Sequence, residues 1–347
     1  MIWLALRQFR TSAWTAVVGL VAVASVVVAT RPHLADAAAA AQHACGSDAH
    51  CPALTAFALD NTAARTVFGL VVTVAPALIG AFWGAPMIAG EFEAGTHRLV
   101  WAQSISRSRW LAVKLVVAGT ATVVATALLS ALVTWWAAPL DHAAAAVYGT
   151  FDQRDIVPIG YALFAFAFGV TAGLVTRRTL PAMALTLAGL LTVRILVTEW
   201  IRPLVFAPRV VSMPLDPDTT GYGSGGNILF GVGPSTLQPT TPDIPNAWIQ
   251  SVRIVDAAGE PLTDQVLRAT CPTLGQGPGG PAGPAPEAVR QRMHDCVARI
   301  GEDYHQVVTY QPGDRYWMFQ WWELALFGFV TALLCGYAYY RLRRFRG

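Results

Sequence analysis

Charge is scarce in this chain. Of 347 residues only 13% are Asp, Glu, Lys or Arg, against about 25% in an ordinary soluble domain. Hydrophobic residues make up 54% and the mean hydropathy is +0.45. So little charge cannot clothe a water-facing surface of this size, which excludes an ordinary soluble enzyme as the first reading. Motifs for chemistry are lacking as well. There is no GxxxxGK[ST] phosphate loop, so the chain has no visible means of cradling ATP by itself. HExxH, CxxC and GxSxG do not occur, which removes the usual zinc-hydrolase, dithiol and serine-hydrolase signatures. His294, Asp295, Glu302 and His305 lie close in sequence but at a spacing that fits no standard metal site. Charge after Arg202 is near balance, without a nucleic-acid footprint. The chain reads as a non-enzyme with no catalytic residues, metal or cofactor of its own.

Long apolar runs are what it does have. A bilayer core is crossed by about 20 apolar residues in a helix. Six such runs occur: Ala13 to Thr30, Thr66 to Gly90, Leu111 to Ala137, Val157 to Thr176, Leu180 to Ile201 and Phe319 to Tyr340. Continuous rather than alternating hydrophobicity selects helices over a barrel. The expected fold is therefore an all-α polytopic membrane protein of six transmembrane helices. Pro76, Pro86 and Pro181 fall in or beside the runs and are tolerated where neighbours satisfy the freed carbonyls. The first run, with basic residues before it and ADA at Ala35 to Ala37, also has the parts of a secretory signal. The six-span reading keeps it as a membrane helix.

Basic residues set the orientation. With the N-terminus inside, the inner segments hold Arg7 and Arg10, then Arg98, Arg107, Arg109 and Lys114, then Arg177 and Arg178, then Arg341, Arg343, Arg344 and Arg346. The short outer loops then keep only Arg31, Arg65 and Arg154, which satisfies the positive-inside rule with both termini in the cytoplasm. Cys45, Cys51, Cys271 and Cys296 all fall outside on this plan, where disulfides persist. Cys45 with Cys51 and Cys271 with Cys296 are the local pairings, which sequence cannot prove. Cys335, inside the last run, reads as packing.

Three regions follow: residues 1–201 with spans one to five and a cytoplasmic loop at 90–110, an extracytoplasmic segment at 202–318, and residues 319–347 with span six and the basic tail RLRRFRG. MIWLALRQFR at the start reads either as an interfacial helix or as an extension of the first span. The outer loop from Arg31 to Arg65 is alanine-rich and partly helical in expectation. In 202–318 the stretches MPLDPDTTGYGSGGN and PTLGQGPGGPAGPAP are turn-rich or low in complexity. EAVRQRMHDCVARI then puts Val289, Met293, Cys296, Val297 and Ile300 at helical spacing. Re-entry through YQPGDRYWMFQWWE places Tyr310, Tyr316, Trp317, Trp321 and Trp322 where an interfacial aromatic belt belongs.

A polar island, GEFEAGTHRLVWAQSISRSRW from Gly90 to Trp110, separates spans two and three. Glu91 and Glu93 precede a turn at Gly95, and Thr96 can start a short helix over His97 to Gln103 by accepting bonds from free backbone amides. Ser106 can cap the third span, and Arg107, Arg109 and Lys114 hold the inner interface. On periodicity alone, a polar turn with inside arginines suffices. The segment EFEAGTHRLVWAQSISRSRWLAVKL, however, resembles the cytoplasmic loop of the ABC type-two export permeases. YQPGDRYWMFQWWE is similar to a segment before the last span in actinobacterial members. The resemblance implies that Glu91, Glu93, Gly95, Thr96, His97, Arg98, Ser106 and Arg107 belong to a coupling element that meets a separate ATP-binding subunit. It also implies a second permease chain, identical or not, with ATP and magnesium held by the partner, and residence in a bacterial plasma membrane. The long outer segment departs from compact members of that family.

Intramembrane charges remain. Arg194 lies in span five, Glu199 near its outer end and Glu323 near the outer start of span six. Such charges are costly and face a partner or a wet cavity. Arg194 can pair with Glu323 or with Glu199, Glu199 can stand alone at the rim, and Arg194 can snorkel outward. Expected overall is the permease half of an exporter moving a hydrophobic or amphipathic substrate. The alternatives are a non-transporting mechanotransmitter or sensor and, third, a membrane-embedded enzyme.

Overall fold

The computed structural model of the chain describes residues 2–46, 51–96, 106–144, 147–215, 244–271 and 287–344. Among these, six helices are long and apolar enough to cross a membrane: Arg10–Cys45, Thr62–Glu93, Arg107–Asp141, Val147–Thr176, Thr179–Val205 and Gly313–Arg343. They agree in number and position with the six apolar runs. Trp14, Val18, Leu70, Phe82, Val116 and Phe329 are exposed on them, an apolar surface far larger than soluble proteins present and one that hydrocarbon satisfies.

The chain begins with α1 (Ile2–Cys45), α2 (Pro52–Asp60) and α3 (Thr62–Ile79). No break separates IWLALRQFR from the first span, so from Ile2 the stretch is an extension of that helix. At 44 residues α1 is about 66 Å long at 1.5 Å per residue, well over the roughly 30 Å of a hydrocarbon core. Its far end carries Cys45, bonded to Cys51 at the start of α2. The Arg31 to Arg65 region is thus helical over most of its described length, because alanine costs no side-chain entropy in a helix.

A π-helical turn at Gly80–Gly84 joins α3 to α4 (Ala85–Glu93), making one membrane-crossing element. α5 (Arg107–Ala144) returns, a 3₁₀ segment at Val147–Gln153 follows, and α6 (Val157–Thr176) descends through the centre. α6 is apolar on all sides and buried on nearly all of them, as a helix encircled by helices must be. Small residues let its backbone approach α3 and α4. A Cβ on Gly80 would stand 2.7 Å from the carbonyl oxygen of Ala165, one on Gly84 2.5 Å from that of Phe166, and one on Gly173 2.7 Å from that of Ala85. Gly80 and Gly84, like Gly169 and Gly173, are four residues apart, so each helix offers a GxxxG face to the other. α7 (Thr179–Ile195), a second π turn at Leu196–Ile201 and α8 (Arg202–Val205) form the fifth crossing, and α11 (Tyr316–Arg343) the sixth.

The chain divides into two compact units, Met1–Val205 with Arg315–Gly347, and Phe206–Asp314. The second unit corrects the all-α expectation. It holds an antiparallel sheet in the order β1 (Arg209–Pro214), β3 (Tyr304–Gln311), β2 (Trp248–Asp256), together with α9 (Asp264–Thr270) and α10 (Glu287–Asp303). RVVSMP, WIQSVRIVD and YHQVVTYQ are short and rich in β-branched residues, the composition that suits a pleated surface. Ile254, Leu267, Cys271, Cys296, Val297 and Ile300 form its core, and Cys271 is bonded to Cys296. α10 is the expected amphipathic helix; the side chains of Val289 and Met293 lie outside the described ones. So do most of MPLDPDTTGYGSGGN and all of PTLGQGPGGPAGPAP. The unit boundaries leave Arg202 in the membrane unit and not in the outer segment.

Candidate functional site

At one end of the bundle α4 stops at Glu93. Ala94 N–H donates to the Gly90 carbonyl at 2.9 Å and Gly95 N–H to that of Phe92 at 3.2 Å. Gly95 has φ +70°, the left-handed geometry that closes a helix and that glycine adopts without strain. Thr96 Oγ1 lies 3.5 Å from the Glu91 carbonyl oxygen. His97 and Arg98, and the rest of the expected helix to Gln103, lie outside the described residues. Beyond them Ser106 Oγ accepts from Arg109 N–H at 3.4 Å, a cap on α5 of the expected kind. Arg107, half-buried, opens that helix.

The two glutamates before the turn face different neighbours. Glu91 is paired with Lys114 of α5, the chain's only lysine. Their side chains are 13% and 9% exposed. Lys114 also donates to the Met87 carbonyl at 3.3 Å and sits 4.8 Å from the centre of the Trp110 ring. Lys114 is therefore less an interfacial anchor than a buried tie between the second and third crossings. Glu93 reaches the fifth crossing. Its Oε2 accepts from Thr179 N–H at 3.1 Å and Thr179 Oγ1 at 2.7 Å, satisfying a free amide at the start of α7 where the helix dipole favours negative charge. Both glutamates were legible as part of one motif; that they tie two helices to a third was not, because those partners lie 23 and 86 residues away.

At the opposite end lies a buried charge cluster. Glu323 of α11, 0% exposed, accepts two hydrogen bonds from Arg202, from Nε at 3.1 Å and from Nη2 at 2.9 Å. Tyr161 of α6 donates to Glu323 Oε1 at 2.6 Å. Arg202 is also paired with Asp152 of the 3₁₀ segment and stacks 4.5 Å from the centre of the Phe151 ring. Glu323 thus pairs with Arg202 rather than Arg194. Arg194 donates to the Thr73 carbonyl at 3.3 Å, lies 3.7 Å from Asp152 and rests 4.8 Å from the centre of the Tyr161 ring. Gln320 binds the same region, its Oε1 accepting from Val157 N–H at 3.0 Å, while Tyr316 donates to Asp155 at 2.6 Å. Buried ions persist only when paired and hydrogen-bonded, and here Asp152, Tyr161, Arg202 and Glu323 come from four different elements. Asp152, Tyr161 and Arg202 carried no sequence signal: two read as loop residues and one as a span aromatic.

Beside this cluster a cavity of about 470 Å³ opens between the second and fifth crossings and the 3₁₀ segment. Arg194, Asp152, Glu199 and Arg202 line it together with Val74, Ala77, Leu187 and Leu191. The described residues of both ends are joined in ties between helices, an arrangement that suits mechanical linkage and binding.

The family described as ABC-2 membrane transporter related matches residues 17–202. No curated protein matches the chain, and no solved structure does.

Proposed function

Because the chain belongs to the ABC-2 membrane transporter related family, we propose that it is the transmembrane permease of an ATP-driven exporter, working with a separate ATP-binding subunit and a second permease chain. The observation that carries this reading is the pair of ties just before the Gly95 turn. Glu91 with Lys114 and Glu93 with Thr179 join the second crossing, from which the following segment leaves, to the third and the fifth. A partner pressing on that segment on the cytoplasmic side would move those crossings together. ATP and magnesium would be held by the partner, since the chain lacks a phosphate loop. The likeness covers all of the membrane unit up to Arg202 except the start of α1 and α11, which is where such a push must act. A sensor with a large outer domain after its first span has a different span plan from the six helices here.

Capture of the full chain in mild detergent from its native host tests the proposal. An ATP-hydrolysing subunit should co-purify, and replacing residues 97–105 by a Gly-Ser linker should abolish its capture while the permease stays monodisperse. Absence of any ATPase from the wild-type capture, or undiminished capture by the linker variant, refutes the reading.

A further inference from the structure

The wall of the cavity between the second and fifth crossings carries two arginines and two carboxylates. Arg194 spends its charge within that wall, on Asp152, the Thr73 carbonyl and the Tyr161 face. Arg202 is held by Asp152 and Glu323. Of the two carboxylates that line the cavity, Asp152 is thus already held by both arginines. The other, Glu199, is exposed and has no ion-pair partner among the described residues. A carboxylate within a membrane-crossing helix is expensive unless a partner or water meets it.

Hydroxyl groups point the same way. Threonines in these helices ordinarily bond to a carbonyl one turn back, as Thr122, Thr171, Thr176 and Thr186 do. Thr73, Thr150 and Thr198 line the cavity, and their Oγ1 atoms, buried behind its surface, have no hydrogen-bond partner among the described residues. The rest of the lining includes the apolar Val74, Ala77, Leu187, Leu190 and Leu191. At about 470 Å³ the space falls within the roughly 300–1,000 Å³ of small-molecule sites.

We infer that this cavity binds an amphipathic cation, with the positive group at Glu199 and the apolar body against Leu187, Leu190 and Leu191. Within the permease reading, on which only its role as cargo rests, this names the substrate class. Binding itself needs no ATPase. Tetraphenylphosphonium and tetraphenylborate, alike in shape and opposite in charge, are the probes, measured by equilibrium dialysis on the purified full chain in neutral detergent with empty micelles subtracted. Wild type should bind the cation saturably. Glu199→Gln should weaken it about fivefold or more, the scale of one partly screened ion pair, and Glu199→Lys should shift preference to the anion. Equal cation affinity in Glu199→Gln and wild type, an unchanged preference in Glu199→Lys, or no saturable cation binding overturns the inference. Such a failure leaves capture of the ATPase untouched, and failure of that capture leaves this site standing.

Discussion

Replacing Lys114 by methionine removes a positive charge and leaves Glu91 in a setting where its side chain is 13% exposed. Breaking one partner of a buried ion pair costs about 3–5 kcal/mol, whereas replacing both by apolar groups is often neutral. Lys114→Met should therefore lower the thermal unfolding midpoint in detergent sharply, and Glu91→Leu combined with Lys114→Met should restore most of the loss. A single variant as stable as wild type would show that the pair is not a structural tie. At this scale the sequence marks residues better than it marks partners. Glu91, Glu93, Ser106 and Lys114 stand out as polar groups in an apolar chain, and Arg194 and Glu323 as charges at membrane depth. Which of them meet depends on helix rotation and on residues such as Asp152 and Arg202, whose loop-like context hides that Arg202 is buried and Asp152 half-buried.

Helix rotation is an element-scale matter, and two π turns decide it. At about 100° per residue an α-helix would set Arg194 and Glu199 about 140° apart. The π turn at Leu196–Ile201 winds more widely, with i→i+5 bonds, so both residues face one cavity. A periodicity count assumes uniform helix and cannot anticipate that. The other π turn lies inside the GxxxG contact with α6, whose spacing was visible in the sequence as GAFWG and GVTAG without indicating which helix receives it. Gly84→Ala would put a Cβ 2.5 Å from the Phe166 carbonyl oxygen, and one at Gly169 would meet the Gly80 carbonyl. Overpacking of this kind costs about 1–3 kcal/mol. Gly328, with nothing within 4 Å of its added Cβ, is the control, since alanine is better than glycine in an exposed helix by about 1 kcal/mol. Gly84→Ala and Gly169→Ala should lower the unfolding midpoint, and Gly328→Ala should hold or raise it. The same direction in all three would remove the close-packing account.

For the whole molecule the two ends of the membrane unit carry different chemistry, and the difference predicts an orientation that can be measured. The Glu93 end gathers Arg177, Arg178 and, at the close of α11, Arg341, Arg343 and Arg344. The Arg202–Glu323 end carries the Cys45–Cys51 bond, and there the chain leaves at Val205 and returns at Arg315. The unit it leaves to form holds the Cys271–Cys296 bond. Disulfides persist outside the reducing cytoplasm and arginines near span ends stay inside it, so both rules assign the same sides. Continuous apolar runs made the six crossings legible, whereas the sheet was not, because its strands are short and separated by long irregular stretches. Cys335 is the one described cysteine outside a disulfide, so Cys335→Ser gives a background without free thiols. In it, Ala94→Cys and Ser251→Cys place single thiols at exposed positions in the turn after Glu93 and in β2. A membrane-impermeant maleimide added to intact cells should label Ser251→Cys at once and Ala94→Cys only after permeabilisation. The reverse pattern would invert the chain in the membrane and put the Glu91 and Glu93 ties beyond the reach of any cytoplasmic ATPase.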